Sequence, residues 1–264
     1  MKVFGWDDVT GGALSHLGAV SLTMGVFDGV HRGHQYLVER VLHTVPDSVR
    51  AVLTFRQHPV SVLRPTQFRG NVLSLRQKLE KLDRTGLEVG IVIDFTKEFS
   101  MMPGAEFLGQ LEDHVRLRYV VVGENFHCGH DMDTVSEEVR HFFAGKGVRV
   151  DIATPVVDNE MPVSSTRIRE AIRSGRIREA GRMLGEAFAL DLRGVKARRK
   201  DDRWIVPREA VSQLVPQAGS YAVRLRGNGN KSTSRLTVGA AELAWQDSSN
   251  STIEIIEFVG DTDE

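Results

Sequence analysis

Residues 19–45 have the sequence AVSLTMGVFDGVHRGHQYLVERVLHTV, in which a strand, a glycine-rich turn and a helix follow one another. The first six residues are mostly apolar and predict a buried strand that ends at Gly25. Residues 33–45 predict a helix, because apolar side chains recur every fourth residue from Leu37. This strand–turn–helix unit is typical of an α/β fold.

The same alternation of strand and helix continues to about residue 184. Further strands are predicted at residues 49–55, 89–95, 119–122 and 148–153. Further helices are predicted after Ser74, after Pro103, over residues 135–143 and over residues 166–174. Because the strands are apolar along their length, they indicate a sheet covered on both faces. We therefore expect a doubly wound parallel α/β domain.

The pattern changes beyond residue 184, where short strand candidates are separated by turn signals. These candidates cover residues 190–194, 204–206, 221–225, 235–238, 242–245 and 252–259. They predict a small all-β, barrel-like domain. The expected division is therefore a first domain over residues 1–186 and a second over residues 187–264.

Composition narrows the class of protein. The chain has 264 residues, a formal net charge of −1 and 41% hydrophobic residues. A nearly neutral chain argues against a dedicated nucleic-acid binder. The lone Cys128 excludes an intramolecular disulfide, and we find neither a signal-peptide pattern nor an apolar run of about 20 residues. We expect a cytoplasmic protein without a membrane partner, and a homo-oligomer is compatible with this sequence.

The turn over residues 25–34, GVFDGVHRGH, carries the first chemical pattern. Its three glycines allow the backbone to approach a ligand closely. The turn leads into a helix N-terminus, whose N–H groups favour phosphate, and His31 and His34 add imidazole donors. The pattern indicates phosphoryl or nucleotidyl transfer. It is neither a Walker A loop nor a Rossmann G-x-G-x-x-G turn.

Other interpretations of this turn remain, including a purely structural role for Asp28. Asp28 is equally well explained by holding the turn through backbone amides or by contacting a ligand. The histidines are weak candidates for metal ligands, because no third ligand lies at a suitable spacing. We expect no protein cage for a metal, and Mg²⁺ held mainly by ligand phosphates.

A second pattern, SSTRIR, covers residues 164–169. Ser164 or Ser165 is suited to cap the predicted helix, and the hydroxyl groups offer donors to phosphate. An arginine in the first turn of a helix is disfavoured by the helix dipole, so Arg167 needs another reason to be there. Binding a departing pyrophosphate would supply one. The alternative is an ordinary capped helix with solvated arginines.

The two patterns together resemble the bacterial FAD synthetase family of the nucleotidyltransferase superfamily. The family motifs read approximately G-x-F-D-G-x-H-x-G-H and S-S-T-x-I-R. Residues 54–59, TFRQHP, are similar to its T-F-x-P-H-P segment, with Gln57 in place of the first proline. Residues 123–129, GENFHCG, are similar to its G-x-[D/N]-F-x-F-G segment, with Cys128 at an aromatic position. The resemblance covers residues 15–185 in order.

The resemblance implies that FMN and ATP react to give FAD and pyrophosphate, without a covalent enzyme intermediate. Five residues would take part in catalysis: His31, His34, Asn125, Ser165 and Arg167. The residues implied to bind ATP are Gly25, Phe27, Asp28, Gly29, His31, Gly33, His34, Ser164, Ser165, Thr166 and Arg167. Those implied to bind FMN are Phe55, His58, Pro59, Asn125 and Phe126.

Within these sets the resemblance implies distinct roles. The two histidines would steady the α- and β-phosphates, and the residues of the second pattern would hold pyrophosphate. Asn125 would approach the FMN phosphate or the metal.

Members of the family usually continue into a riboflavin kinase barrel with the signature G-x-P-T-A-N. Residues 190–217 contain no such signature, although residues 219–223, GSYAV, are similar to the strand that follows it. We therefore expect an FMN adenylyltransferase without kinase activity. A bifunctional enzyme with a diverged kinase site is the alternative, and Glu254 and Glu257 are its candidate bases.

Two other functions remain as alternatives. One is a cytidylyl- or adenylyltransferase for another phosphorylated substrate, and the other is a non-catalytic regulator that binds flavin or nucleotide. A metal site at His127, His130, Asp131 and Asp133 is less typical of such a segment than a polar loop. We expect Cys128 to be a packed side chain, because no activating partner is evident, and residues 197–200 to form an exposed hairpin tip.

Overall fold

A computed structural model describes residues 1–227, 229–247 and 252–262. The chain forms two compact units. The first contains residues 1–68 and 79–156, and the second contains residues 69–78 and the described residues from 157 onward. The boundary expected at residue 186 rests on the change of sequence pattern beyond residue 184, and it stays a prediction.

A six-stranded sheet forms the centre of the first unit. The elements up to residue 156 are β1 Lys2–Gly5, α1 Trp6–Thr10, β2 Val20–Met24, α2 Arg32–His43, β3 Val49–Phe55, α3 Pro59–Leu63, α4 Leu75–Asp83, β4 Val89–Ile93, α5 Gly104–His114, β5 Leu117–Gly123, β6 His127–Cys128, β7 Thr134–Val135, α6 Ser136–Phe143 and β8 Arg149–Ala153. The strand order is β1-β4-β3-β2-β5-β8, and all neighbouring pairs are parallel. The expected parallel α/β fold is confirmed.

Apolar side chains explain why the sheet is covered. All five residues of β2 are buried, and so are all five of β4. Helices α1, α5 and α6 contribute Trp6, Phe107 and Phe143 to one core cluster with the strands. Helix α2 packs on β2, β3 and β5. Strand β1 was not predicted. Its four residues are too few to show an alternation of apolar and polar side chains, and two of them are exposed.

The order of the strands indicates where in this sheet a ligand would bind. The chain runs from β2 to its neighbour β3 on one side, whereas β5 lies on the other side of β2. Ligands of open α/β sheets bind beyond the carboxyl ends of the strands at such a reversal. The segments that follow β2 and β5 are therefore the expected location of the site.

The second unit contains an antiparallel sheet. Its elements are β9 Val157–Asp158, β10 Met161–Pro162, α7 Ser165–Arg173, α8 Ile177–Leu184, β11 Ala189–Asp191, β12 Arg198–Lys200, β13 Arg203–Pro207, β14 Gly219–Gly227, β15 Asn230–Val238, β16 Glu242–Gln246 and β17 Ile255–Thr262. Seven strands form one sheet in the order β11-β17-β14-β15-β16-β13-β12. The expected barrel-like all-β region is confirmed as a curled sheet. The basic run at residues 197–200 contributes its edge strand β12, and the turn follows at Asp201 and Asp202.

A buried polar cluster anchors residues 69–78 within the second unit. The Asp191 carboxylate, only 5% exposed, accepts hydrogen bonds from Ser74 Oγ at 2.7 Å and Arg193 Nε at 2.8 Å. Gln213 accepts from the Asp191 amide at 2.6 Å and donates to the carbonyl of Ala189 at 3.0 Å. Burial opposes ionisation of Asp191, but the hydrogen bonds from Arg193 and Ser74 outweigh it and lower the pKa of this carboxyl.

We expect Asp191→Asn to reduce the free energy of unfolding at pH 7 by about 1–3 kcal/mol, because it removes a buried charge-assisted acceptor. A carboxyl whose pKa is lowered by folding stabilises the protein above its unfolded pKa of about 4. That contribution is lost as the pH falls through the lower folded pKa. Urea unfolding from pH 7 to pH 3 should therefore show the gap between parent and variant closing below about pH 4. Asp202→Asn, at an exposed turn, is the control, and an equal loss there would contradict this account.

Candidate active site

The turn after β2 has a strained backbone. Phe27, Gly29 and Val30 all have positive φ, at 51°, 92° and 41°. Glycine adopts such angles freely, whereas a β-branched residue such as Val30 rarely does. Each non-glycine residue held in this way costs of the order of 1–3 kcal/mol, and the conformation persists only where surrounding contacts enforce it. Strain of this kind is concentrated at functional sites.

Three side chains donate hydrogen bonds to carbonyl groups of this turn. Thr54 Oγ1 donates to the Val26 carbonyl at 3.0 Å, and Gln35 Nε2 donates to the Val30 carbonyl at 2.9 Å. Lys81 Nζ lies 3.3 Å from the Gly29 carbonyl oxygen and donates to it.

Gln35 and Lys81 were not predicted as site residues. Lys81 is distant in the chain from its partner Gly29, and Gln35 lies outside the motif of residues 25–34. On α4, Lys78 lies three residues from Leu75 and four from Leu82 and so shares their face, whereas Lys81 has no such spacing to the leucines. Both lysines are buried.

The two motif histidines lie together at the start of α2. His31 is the N-cap residue, and its Nδ1 accepts a hydrogen bond from the His34 amide at 3.3 Å. The two rings are stacked, with centroids 3.6 Å apart and planes inclined by 18°. The buried Phe27 ring lies 4.8 Å from the His34 ring. A helix N-terminus and two imidazoles therefore converge at one point, which suits an anionic ligand.

Asp28 lies in the same turn and is 4% exposed. Such burial favours a role inside the turn over contact with a ligand. The ligand contact stays a prediction.

The segment expected to contact flavin after β3 is ordered by local contacts. His58 caps α3, its Nδ1 accepting from the Val60 amide at 3.2 Å, and Pro59 is the first residue of that helix. The Phe55 ring meets the Phe95 ring edge-to-face, with centroids 5.5 Å apart. These contacts place aromatic surface at the carboxyl end of a strand that neighbours β2.

The other flavin-associated segment follows β5, on the opposite side of β2. Phe126 packs against the core cluster, and Asn125 is exposed. The sheet therefore brings all the expected residues of the first unit to the carboxyl ends of β2, β3 and β5.

In the loop after β5, Cys128 is a packed side chain and Asp133 binds the start of helix α5. Burial raises the pKa of the Cys128 thiol to about 12, and the carboxylates of Asp133 and Glu138 contribute to the shift. A thiol with that pKa is inert as a nucleophile near neutral pH. Asp133 accepts a hydrogen bond from the Gly104 amide at 3.0 Å, at the start of α5. In the described part of the chain, no three His, Cys, Asp or Glu side chains are grouped to hold a metal ion.

The SSTRIR motif lies in the second compact unit. Ser164 caps α7 by accepting a hydrogen bond from the Arg167 amide at 3.3 Å, so the expected cap is confirmed. The Arg167 guanidinium donates to the carbonyls of Met161 and Pro162, both at 2.8 Å, and lies 3.8 Å from Glu179. Arg167 is therefore hydrogen-bonded to the β9–β10 hairpin. The pyrophosphate contact expected of Arg167 stays a prediction.

No helix among the described residues is long and apolar enough to cross a membrane.

Comparison with known proteins identifies relatives of the chain. It is 27% identical over 225 residues to a bifunctional riboflavin kinase/FMN adenylyltransferase of Listeria monocytogenes, covering 83% of this chain and 71% of the relative. It is 29% identical over 172 residues to an FAD synthetase of the same organism, covering 64% of this chain and 70% of the relative. A bifunctional enzyme of Pseudomonas fluorescens is 26% identical over 253 residues, which cover 93% of this chain and 81% of that enzyme.

A solved structure shares the fold. The crystal structure of a macrolide-efflux protein from Streptococcus pneumoniae matches with a TM-score of 0.84 and 22% identity. The match covers 100% of this chain and 92% of the other. At that identity it shows the fold alone.

A family model decides the assignment. The model described as FAD synthetase matches residues 14–167, which is more than half of the chain. The matched region includes the strained turn and the segments after β3 and β5, and it ends at Arg167. The chain is therefore an enzyme that belongs to the FAD synthetase family.

Proposed function

We propose that this chain transfers AMP from ATP to FMN, giving FAD and pyrophosphate, and that it does not phosphorylate riboflavin. The observation that carries the first part is the stacked His31–His34 pair at the N-terminus of α2, beside the strained turn. Membership of the FAD synthetase family supports the same reaction.

The reaction is an in-line displacement at phosphorus. A phosphate oxygen of FMN forms a bond to the α-phosphorus of ATP, and the bond from that phosphorus to the bridging oxygen of pyrophosphate breaks. Catalysis of this kind depends mainly on positioning and on stabilisation of charge. The N–H groups at the start of α2 and the imidazoles of His31 and His34 supply donors to the phosphates. Ser164, Ser165, Thr166 and Arg167 are proposed to hold the departing pyrophosphate.

Enzymes of the FAD synthetase family require a divalent cation. We propose Mg²⁺, which neutralises phosphate charge when it is bound. Mg²⁺ is usually bound by one or two protein groups together with substrate phosphates, and we propose that the phosphates of ATP hold most of it here. Asn125, exposed after β5, offers an amide oxygen to the cation or an amide N–H to the FMN phosphate.

Phe55, His58, Pro59 and Phe126 are proposed to line the flavin pocket. A flavin ring is flat, so the pocket that receives its two faces must be flat and largely apolar. The net charge of −1 supports small-molecule substrates over nucleic acid as ligands. Location in the cytoplasm and assembly into homo-oligomers stay predictions.

The first test is product formation. Purified protein incubated with ATP, Mg²⁺ and FMN should yield FAD and pyrophosphate in equal amounts, measured by flavin chromatography and a pyrophosphate assay. Replacement of ATP by CTP should give no flavin dinucleotide and no pyrophosphate. Absence of FAD at saturating ATP and FMN would refute the proposed reaction.

The second test concerns the histidines. His31→Ala and His34→Ala should each lower kcat/KM for ATP by about 10²–10⁴-fold, since each removes a donor to the phosphates. His16→Ala, at an exposed position, is the matched control and should keep parental rates. Circular dichroism and thermal melting establish that the variants are folded. Near-parental turnover in either folded variant would remove that histidine from the mechanism.

The barrel-like sheet argues against a kinase site at Glu257. Its side chain is 7% exposed and forms ion pairs with both Arg224 and Arg226. Each carboxylate oxygen of Glu257 faces a guanidinium group, so neither oxygen is left open to accept a proton from a ribityl hydroxyl. The missing P-T-A-N signature supports the same conclusion.

The third test is the kinase reaction itself. The full chain with riboflavin, ATP and Mg²⁺ should give neither FMN nor FAD, while the same preparation converts FMN to FAD. The FMN reaction serves as the positive control in the same buffer. Appearance of FMN from riboflavin would establish the bifunctional alternative.

A further inference from the structure

Three donors from separate elements converge on one short loop. We call residues 25–31 the nucleotide loop. Thr54 at the end of β3, Gln35 in α2 and Lys81 in α4 donate to three of its carbonyl groups, at distances of 3.0, 2.9 and 3.3 Å. The side chain of Thr54 points into the protein, since this residue is fully buried.

The direction of these carbonyls fixes the direction of the neighbouring amides. The described chain contains no cis peptide bond, and in a trans peptide the C=O and the following N–H point in opposite directions. The carbonyl of Val26 points to Thr54, so the amide of Phe27 points away from it. The carbonyl of Val30 points to Gln35, so the amide of His31 points away from that side chain. These two carbonyl oxygens are thereby turned towards protein donors, and the two following N–H groups are turned away from them, as an anion requires. The Gly25 and Val30 amides donate within the fold instead, to the carbonyls of Leu53 at 3.1 Å and Phe27 at 3.2 Å.

Lys81 adds a charge to this arrangement. The residue is 7% exposed, and its ammonium group donates to the Gly29 carbonyl. An ammonium group is expensive to bury, so such a residue persists where it is hydrogen-bonded or paired. Its positive charge lies next to the nucleotide loop, where weak screening strengthens its effect on a bound polyphosphate.

We propose that Thr54, Gln35 and Lys81 are positioning residues for ATP. They hold the nucleotide loop in its strained form, with the amides of Phe27 and His31 directed to the phosphates. The inference rests on the proposed function and extends it to residues that do not touch the substrate. It predicts that the three act on the ATP step and leave FMN binding unchanged.

The kinetic test uses matched variants. Thr54→Val removes the hydroxyl at nearly constant shape, and Thr54→Ser keeps it. Thr54→Val and Lys81→Met should each lower kcat/KM for ATP by about 10- to 100-fold, the loss that a misplacement of about 1 Å can cause, with KM for FMN unchanged. Thr54→Ser should recover most of the activity. Lys2→Met, the same chemical change at an exposed residue of β1, should match the parent.

A second measurement separates this inference from the proposed reaction. Hydrogen–deuterium exchange of the ligand-free protein should show faster exchange of the hydrogen-bonded Gly25 and Val30 amides in Thr54→Val and Lys81→Met. Exchange of these amides should stay parental in Thr54→Ser and Lys2→Met. If the parent makes no FAD, the proposed function fails and the exchange result still decides whether these side chains hold the loop. Parental exchange and parental kcat/KM in both loss variants would overturn the inference. Equal losses for ATP and FMN would also overturn it, because they indicate general destabilisation.

Discussion

The strained turn after β2 is the constraint on which the site depends. A chain that leaves a buried strand and enters α2 within eight residues has to reverse direction in very little space. It does so through left-handed angles at Phe27 and Val30, which are unfavourable for both side chains. Contacts from the rest of the first unit have to offset that cost. Those contacts are the packing of Phe27 against His34 and the side-chain hydrogen bonds to three carbonyl groups of the turn.

Strand order explains why the expected site residues are far apart in sequence but follow neighbouring strands of the sheet. Strand order reverses at β2, so β3 and β5 lie on either side of it. Phe55 and Asn125 therefore follow strands that flank the turn, although about 70 residues separate them in the chain. Parallel strands deliver all three segments to one edge, because their carboxyl ends point the same way.

Much of this arrangement follows from the sequence, since hydrophobic periodicity and turn chemistry are local. Strand β3 was predicted at its observed bounds, residues 49–55, and the cap of α7 was predicted to be Ser164 or Ser165, of which the structure shows Ser164. Strand β1 was missed because four residues without a clear period carry too little local signal. Lys81 and Gln35 were missed for a different reason. Their importance depends on which carbonyls the folded chain brings near them, and no spacing rule describes such contacts.

Arg167 was identified from the sequence, but its contacts in the folded chain were not. Its position in a first helical turn called for a special reason, and an anion was a sound hypothesis. The structure gives its guanidinium neutral partners, the carbonyls of Met161 and Pro162, and a nearby carboxylate on Glu179. An arginine has five donors, so clasping the hairpin and binding an anion are compatible in chemistry. Clasping fixes the guanidinium before any ligand arrives, and a preorganised donor binds an anion with a smaller loss of side-chain entropy.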